Sequence, residues 1–195
     1  MGKIFCIMGK SATGKDTIYK ELLQNPTLGL KRIIPYTTRP IRDGEVQGRE
    51  YYFCKEEDVT RFEAQNRIVE LREYHTIYGI WKYFTVNDET IDLENHNYLL
   101  IGTLESYLKV KEYFGSERTV PIYIEVEDGE RLLRAISRER EQETPKYEEM
   151  CRRFLADAKD FSEENLKNAK IESRFLNVTL EKTLEEVEKY IKENK

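Results

Sequence analysis

The residues best suited to chemistry lie near the amino terminus, where residues 9–17 have the sequence Gly-Lys-Ser-Ala-Thr-Gly-Lys-Asp-Thr. Glycines at such a place let backbone N–H groups turn inward around phosphate oxygens, and a helix that begins there adds the positive end of its dipole. Lys15 has the position from which a P-loop lysine reaches the β- and γ-phosphates, whereas Asp16 stands where Ser or Thr normally meets magnesium. The segment predicts a phosphate-binding loop; the alternative is a glycine-rich turn that only leads into a helix.

The elements on either side of this loop fit the prediction. A short apolar run at residues 3–8 predicts a buried strand, and residues 17–24 carry apolar side chains at the spacing of an amphipathic helix. A strand, a glycine loop and a helix in succession form the context in which a P-loop binds nucleotide phosphates. The predicted phosphate-binding residues are Gly9, Lys10, Ser11, Ala12, Thr13, Gly14, Lys15, Asp16 and Thr17.

The composition predicts one soluble domain and excludes several classes of function. The sequence has 195 residues, of which 39% are hydrophobic and 35% charged, and its formal net charge is −5. A chain of this length can bury one sizeable core. Its acidic balance argues against general nucleic-acid binding, and no stretch approaches the roughly 20 apolar residues of a membrane-spanning helix. The cysteines at positions 6, 54 and 151 have no metal-ligand spacing, which favours a reducing cytoplasm.

Strand and helix patterns alternate along the chain. Strands are predicted at residues 31–36, 51–53, 68–74, 78–86, 98–101, 121–126 and 174–178, and helices at residues 55–65, 104–114, 128–140, 147–166 and 181–193. Such alternation predicts an α/β fold with a central parallel sheet flanked by helices. The two aromatic and β-branched runs at residues 68–74 and 78–86 predict a small antiparallel section outside the main sheet.

The segment at residues 36–53 closely resembles the nucleotide-monophosphate-binding segment of guanylate kinases. It has the sequence Tyr-Thr-Thr-Arg-Pro-Ile-Arg-Asp-Gly-Glu-Val-Gln-Gly-Arg-Glu-Tyr-Tyr-Phe. The resemblance implies a P-loop kinase fold that transfers a phosphoryl group from ATP to GMP or dGMP, with Mg²⁺ as cofactor. It also implies a core of about residues 1–34, 97–130 and 160–195, a monophosphate-binding section of about residues 35–96, and a helical lid of about residues 131–159.

The resemblance assigns the acceptor-binding residues. Planar, permanently charged guanidinium groups suit a phosphate, and Arg39 and Arg42 supply two of them from one loop. Tyr51 and Tyr78 match family tyrosines that bind the same phosphate, and Glu70 matches the glutamate that accepts from guanine. Gly79 and Thr103 complete the implied acceptor site. Considered one at a time, Arg39 and Arg42 would more often belong to a solvated basic loop, and Glu70 would more often be an exposed strand residue.

Departures from the family pattern leave the acceptor open. Pro35 and Ile80 stand where relatives have serines, and residues 101–103 read Ile-Gly-Thr where relatives have two aspartates. Another nucleoside monophosphate or ribose 1,5-bisphosphate is therefore an alternative acceptor. A non-catalytic binding module is a second alternative, although such modules usually lose the loop lysine and the lid arginines. Both a monomer and a homodimer are compatible with the sequence.

The lid supplies the remaining predicted groups. Arginines that close over a moving phosphoryl group stabilise its charge. Alignment with the family favours Arg138 and Arg153 for this role, and Arg134 is the next candidate, as an ATP-binding residue. For Arg131, Arg140 and Arg152 the sequence instead predicts an exposed helix with Glu–Arg pairs. The resemblance also implies that Asn177 lies near the adenine of ATP. The predicted catalytic residues are thus Lys15, Arg39, Arg138 and Arg153, and Asp16 is the predicted magnesium ligand.

Overall fold

The computed structural model describes residues 1–42, 44–76 and 79–195. Strands and helices alternate through most of this length. In chain order the elements are β1 (Ile4–Met8), α1 (Lys15–Gln24), β2 (Leu30–Arg32), β3 (Tyr36–Thr37), β4 (Tyr52–Phe53), α2 (Glu56–Ala64), β5 (Ile68–Thr76), β6 (Gly79–Val86), β7 (Asn97–Gly102), α3 (Leu104–Phe114), β8 (Thr119–Glu125), α4 (Asp128–Arg140), α5 (Tyr147–Asp160), α6 (Glu163–Asn168), β9 (Arg174–Leu176) and α7 (Leu180–Glu193).

A five-stranded parallel sheet forms the core of the molecule, in the order β2-β7-β1-β8-β9. All five residues of β1 are buried, as expected for a central strand covered on both faces. Because side chains alternate along a strand, Ile4, Cys6 and Met8 pack with α3 and α6, whereas Phe5 and Ile7 pack with α1 and α7. The predicted α/β class, with helices on both faces of a parallel sheet, is confirmed.

A second sheet holds the inserted section, in the order β4-β3-β6-β5. The β5–β6 and β3–β6 pairs are antiparallel, and the β3–β4 pair is parallel. Its small core joins the sheet to α2 through Val59, Phe62, Phe84 and Val86. The prediction of an antiparallel section outside the main sheet is therefore confirmed. This arrangement places the residues of the family-like segment beside β5 and β6.

Two elements that the sequence predicts as continuous are each divided in the structure, so these two predictions are wrong. The strand predicted at residues 31–36 is divided, because β2 pairs with β7 in the central sheet and β3 pairs with β4 and β6 in the other. Pro35 lies at the crossing, where a residue without an N–H cannot continue a ladder. The helix predicted at residues 147–166 is also divided, since the Ser162 side chain accepts from Asn165 N–H and caps α6.

Among the described residues, no helix has both the length and the apolarity that crossing a membrane requires.

Candidate active site

The glycine loop has a backbone that only certain residues tolerate. Ala12 and Gly14 both have positive φ angles, of 62° and 81°. A Cβ on Gly14 would lie 2.7 Å from Asn177 Nδ2, and a Cβ on Gly9 would lie 2.5 Å from the Ile124 carbonyl oxygen. Glycine is required at both positions because the loop passes so close to its neighbours.

Buried side chains hold the loop from behind. Thr13 is 1% exposed, and its hydroxyl donates to the Lys10 carbonyl at 2.9 Å. The Asn177 amide donates to the Thr13 carbonyl at 2.8 Å and accepts from the Thr183 hydroxyl at 3.2 Å. Asn177, predicted near adenine, thus has both ends of its amide engaged in supporting the loop. Its contact with adenine remains a prediction.

The loop presents unpaired donors at the start of α1. Within the ranges that the structure describes, no hydrogen-bond acceptor pairs with the backbone N–H groups of residues 12–16. A run of such groups at a helix N-terminus binds anions, because several partial positive charges converge with the helix dipole. The loop can therefore hold the phosphates of a nucleotide.

Charged side chains flank these donors. The Lys15 ammonium lies 3.5 Å from the Asp16 carboxylate, and the Lys15 side chain is 20% exposed. Lys10 pairs with Asp128 at 3.3 Å. Lys15 is therefore held at the mouth of the loop, where an incoming phosphate could replace its carboxylate partner.

Asp16 is the best candidate for a magnesium ligand. Its side chain is 77% exposed, and the end of β7 at residues 102–103 adds no carboxylate. No group of three or more His, Cys, Asp and Glu residues in the described ranges could hold a metal by itself. Protein-bound Mg²⁺ commonly takes one or two carboxylates and completes its shell with phosphates and water. A single exposed carboxylate beside the phosphate loop fits that donor set.

Arg39 lies buried in the inserted section and is paired with Glu45. Its side chain is 4% exposed, and its two terminal nitrogens donate to the two Glu45 oxygens at 2.8 Å each. The guanidinium also lies 5.3 Å from the ring centre of Tyr51 and 5.4 Å from that of Phe53. The hydrogen bonds that Arg39 donates to Glu45 raise the pKa of Arg39 and lower the pKa of Glu45 to about 2. Arg39 thus binds two oxygens of one carboxylate, and the same planar arrangement of donors suits two oxygens of a phosphate.

Arg42 and Tyr51 lie beside this pair. The Arg42 backbone N–H donates to Glu45 at 2.8 Å, and its side chain is exposed. Tyr51 packs edge-on against Tyr83 with ring centres 5.6 Å apart, and burial raises the pKa of its phenol. Tyr51 stays a neutral hydrogen-bonding group at neutral pH.

A cleft of about 650 Å³ opens between the two sheets. Its lining includes Pro35, Tyr51, Arg72, Tyr74, Trp81, Tyr83 and Ile101. The aromatic side chains give a planar base surfaces for stacking, and the volume lies within the range of small-molecule sites. An acceptor in the cleft could lie next to Tyr51, and Arg39 lies against the ring of Tyr51.

Glu70 contacts Arg72, one of the residues that line this cleft. It is 6% exposed; one carboxylate oxygen accepts from Arg72 Nε at 3.0 Å and the other accepts from the Thr85 hydroxyl at 3.0 Å. Each oxygen of the buried carboxylate therefore has one hydrogen-bond donor and could accept a second. Glu70 is not among the residues that line the cleft, so a guanine could reach it only if Arg72, which does line the cleft, moved aside.

The predictions for three residues of the acceptor-binding site have different outcomes. Tyr78 lies outside the described residues. Gly79 begins β6 with a φ of 110°, where a side chain would be strained. Thr103 caps α3, since its hydroxyl accepts from the Ser106 N–H at 3.2 Å. The role of Thr103 in acceptor binding stays a prediction, and its hydroxyl already has a structural partner.

The lid arginines divide into three groups. Arg138 is exposed, and no hydrogen bond or ion pair to it occurs in the ranges described above. Arg153 lies 3.7 Å from Glu149, and Arg134 pairs with Glu130 at 2.9 Å. Arg140 and Arg152 are exposed, as expected. Arg138 is the freest to approach a phosphoryl group, and Arg134 is the least free of the three predicted residues.

The expectation that Arg131 is an exposed surface residue is wrong. Its side chain is 1% exposed and its Nε donates to the Ser11 carbonyl at 3.0 Å. Its guanidinium also contacts Asp128 and lies 3.4 Å from Asp157, whose carboxylate accepts from the Ser11 N–H at 2.6 Å. Helical spacing alone gave no sign of these contacts, because Ser11 is 120 residues away along the chain.

Comparison with known proteins gives one consistent family. The model of the family described as guanylate kinase matches residues 1–194. A guanylate kinase of Clostridium tetani is 34% identical over 115 residues, which are 58% of this chain and 52% of the relative. One of Caldanaerobacter subterraneus is 33% identical over 154 residues, 78% of this chain and 70% of that protein. The alignment with the Clostridium relative thus spans about half of that relative's length.

The fold also has a solved counterpart. A crystal structure of guanylate kinase from Anaplasma phagocytophilum superposes with a TM-score of 0.61 and 21% sequence identity. The match covers 98% of this chain and 85% of the other. At this identity the likeness extends to the fold, and the roles of individual residues must be argued from their own contacts.

Proposed function

The chain belongs to the guanylate kinase family, and on that premise we propose that it transfers the γ-phosphoryl group of ATP to the phosphate of GMP or dGMP. The observation that supports this proposal is that two arrangements suited to binding phosphate occur in one domain. One is the N–H loop with Lys15, and the other is Arg39 beside Tyr51 at the edge of an aromatic cleft. A phosphotransferase with a phosphate acceptor needs both.

The proposed reaction assigns a task to each group. The loop N–H groups and Lys15 hold the ATP phosphates, while Arg39 and Arg42 hold the acceptor phosphate in line with them. An acceptor oxygen then forms a bond to the γ-phosphorus as the bond from that phosphorus to the ADP oxygen breaks. Arg138 and Arg153 stabilise the charge on the moving group. Asp16 would hold Mg²⁺, which when bound neutralises charge on the ATP phosphates.

The proposal requires two internal partners to be exchanged for substrate. Glu45 must yield Arg39 to the acceptor phosphate, and Arg72 must yield Glu70 to the guanine edge. We assign the acceptor to a section of about residues 35–96 and the lid to about residues 131–159, on a core formed by the remaining residues. A monomer and a homodimer are both compatible with these assignments. All three cysteines are free, which fits a cytoplasmic location.

The acceptor is tested by replacing Glu70 with glutamine. An amide can still accept one hydrogen bond but loses the charge that favours the paired donors of guanine, so Glu70→Gln should raise the KM for GMP about tenfold or more. The KM for ATP should change less than about twofold. The measurement is a coupled ADP-release assay with ATP, Mg²⁺ and GMP. Glu73→Gln is a matched control, because Glu73 lies on the same strand and is exposed.

The same assay decides among acceptors when the unmodified protein is given GMP, dGMP, AMP, CMP, UMP and ribose 1,5-bisphosphate in turn. GMP and dGMP should have the highest kcat/KM. A higher value for AMP or ribose 1,5-bisphosphate would overturn the guanylate assignment. Absence of turnover with every acceptor would favour the binding module.

Closure of the acceptor section and lid over the substrates is a further expectation, since water would otherwise intercept the phosphoryl group. A bisubstrate analogue that joins adenosine to guanosine through a phosphate chain should compact the protein. Small-angle scattering with and without saturating analogue measures the radius of gyration. An unchanged scattering curve would count against closure, and adenosine alone is the control ligand.

A further inference from the structure

Two lid residues meet the glycine loop at a single residue. The Ser11 N–H donates to Asp157 Oδ2 at 2.6 Å, and the Ser11 carbonyl accepts from Arg131 Nε at 3.0 Å. Both peptide units that flank the Ser11 Cα are therefore fixed by side chains, one from α4 and one from α5. Ala12, with its positive φ, is the next residue.

The guanidinium of Arg131 is enclosed on all sides. It is 1% exposed, contacts Asp128 and Asp157, and lies 4.7 Å from the ring centre of Phe154. A charged group so buried is costly unless each donor has a partner. Asp128 also pairs with Lys10, the residue before Ser11, at 3.3 Å. The cluster carries two positive and two negative charges. Because its net charge is zero, it affects the loop mainly by fixing the position of the loop backbone.

The position of Ser11 decides where the unpaired N–H groups lie. Ala12 in a left-handed conformation is unfavourable for a residue with a Cβ and persists only where its surroundings fix it. Arg131 holds the carbonyl that immediately precedes Ala12, and Thr13 is held by Asn177 on the other side. Loss of the Ser11 contacts would release one of these two anchors. The N–H groups of residues 12–16 would then no longer converge.

We propose that Arg131 and Asp157 are positioning residues that fix Ser11 and thereby couple the lid helices to ATP phosphate binding. The inference rests on the proposed function for its choice of ligand. Neither residue needs to touch ATP, since both act through the Ser11 backbone. Because α4 and α5 carry Arg138 and Arg153, the same contacts link the loop to the helices that would close over the transferred group.

The test measures binding rather than turnover. Titration calorimetry with Mg²⁺ and ATP, without any acceptor, gives the Kd of the unmodified protein and of Asp157→Ala, Asp157→Asn and Arg131→Lys. Asp157→Ala removes the acceptor for the Ser11 N–H and should raise the Kd for ATP about tenfold. Arg131→Lys keeps the charge but cannot reach Ser11 and both carboxylates together, and should have a similar effect.

Asp157→Asn is the rescue variant. Its side-chain oxygen can still accept from Ser11, so its Kd for ATP should stay within about threefold of the unmodified value. A role limited to stability predicts the reverse, because removal of the charge facing Arg131 would then matter more than the hydrogen bond. Asp128 still contacts Arg131 in both Asp157 variants, so neither leaves the buried guanidinium without a carboxylate partner. Arg140→Lys is the matched control on α4, where Arg140 is exposed.

The Kd for GMP, measured in the same way, should change less than about twofold in every variant. Equal ATP affinity in Asp157→Ala and the unmodified protein would overturn the positioning pair and leave the proposed function intact. A parallel loss of ATP and GMP affinity would also overturn it, since that result indicates general damage. Failure of the unmodified protein to bind ATP would overturn the proposed function and this inference with it.

Discussion

Replacing Asp16 with asparagine is expected to lower turnover about a hundredfold. The loss of a single group that stabilises transition-state charge has an effect of about this size. Asp16 follows Lys15 directly, is 77% exposed, and its carboxylate lies 3.5 Å from the Lys15 ammonium. The end of β7 provides no second carboxylate, because residues 101–103 are Ile, Gly and Thr. Asparagine keeps the shape but binds Mg²⁺ far more weakly. The magnesium concentration for half-maximal rate should therefore rise, while the KM for GMP barely moves.

A competing role for Asp16 makes a different prediction. An acidic residue in the first turn of α1 interacts with the helix dipole, which contributes under about 1 kcal/mol of stability at an exposed position. On that view Asp16→Asn would slightly lower the melting temperature and leave turnover nearly normal. Magnesium titrations of turnover, with Glu21→Gln as an exposed control on the same helix, separate the two roles. Normal turnover together with an unshifted titration would rule out Asp16 as a metal ligand.

The parts of the structure that local sequence determines were predictable. The loop at residues 9–17 follows from glycine spacing, an apolar strand and an amphipathic helix, which are all neighbours along the chain. The hairpin of β5 and β6 follows from two β-branched runs. The family-like segment at residues 36–53 identified Arg39 and Tyr51, which the structure brings within 5.3 Å of each other.

The parts that depend on distant residues were not predictable. Arg131 has a helical spacing that suits an exposed Glu–Arg pair, and only folding brings it to Ser11. Thr85 on β6 is 15 residues from Glu70 and meets its buried carboxylate only when the two strands pair. The contact of Arg72 is different, because Arg72 is two residues from Glu70 and shares one face of β5 with it. Glu45 is a partial exception. It lies six residues after Arg39 and three after Arg42, so a carboxylate partner within that loop could have been sought.

The Arg39–Glu45 pair is expected to be insensitive to pH across the neutral range. Hydrogen bonds from Arg39 lower the pKa of Glu45 to about 2, well below the value of about 4.3 in an unfolded chain. A lowered pKa contributes stability that is present above the unfolded value and is lost as the pH falls toward the folded one. The charge of Glu45 and its pairing with Arg39 should therefore be constant from about pH 5 upward. Any change in the KM for GMP near pH 6, measured in the coupled assay, should then come from the acceptor phosphate, whose second pKa is about 6.

Replacing Arg39 with lysine is expected to lower kcat/KM for GMP about a hundredfold, which corresponds to about 2.7 kcal/mol. Lysine keeps the positive charge, but an ammonium cannot match two oxyanion oxygens at once as the planar guanidinium matches Glu45. The KM for ATP should change less than about twofold, because Arg39 belongs to the inserted section and not to the glycine loop.

Arg61→Lys provides the matched control for Arg39→Lys. Arg61 also pairs with a carboxylate, Asp58, at 2.8 Å, but its side chain is 56% exposed on α2. A surface ion pair of this kind contributes little, so the control should leave both substrate constants unchanged. If Arg39 served only to brace the loop against Glu45, Arg39→Lys would lower the melting temperature and affect ATP and GMP alike. A selective loss for GMP, with the melting temperature within a few degrees of the unmodified protein, would instead identify Arg39 as the acceptor-phosphate ligand.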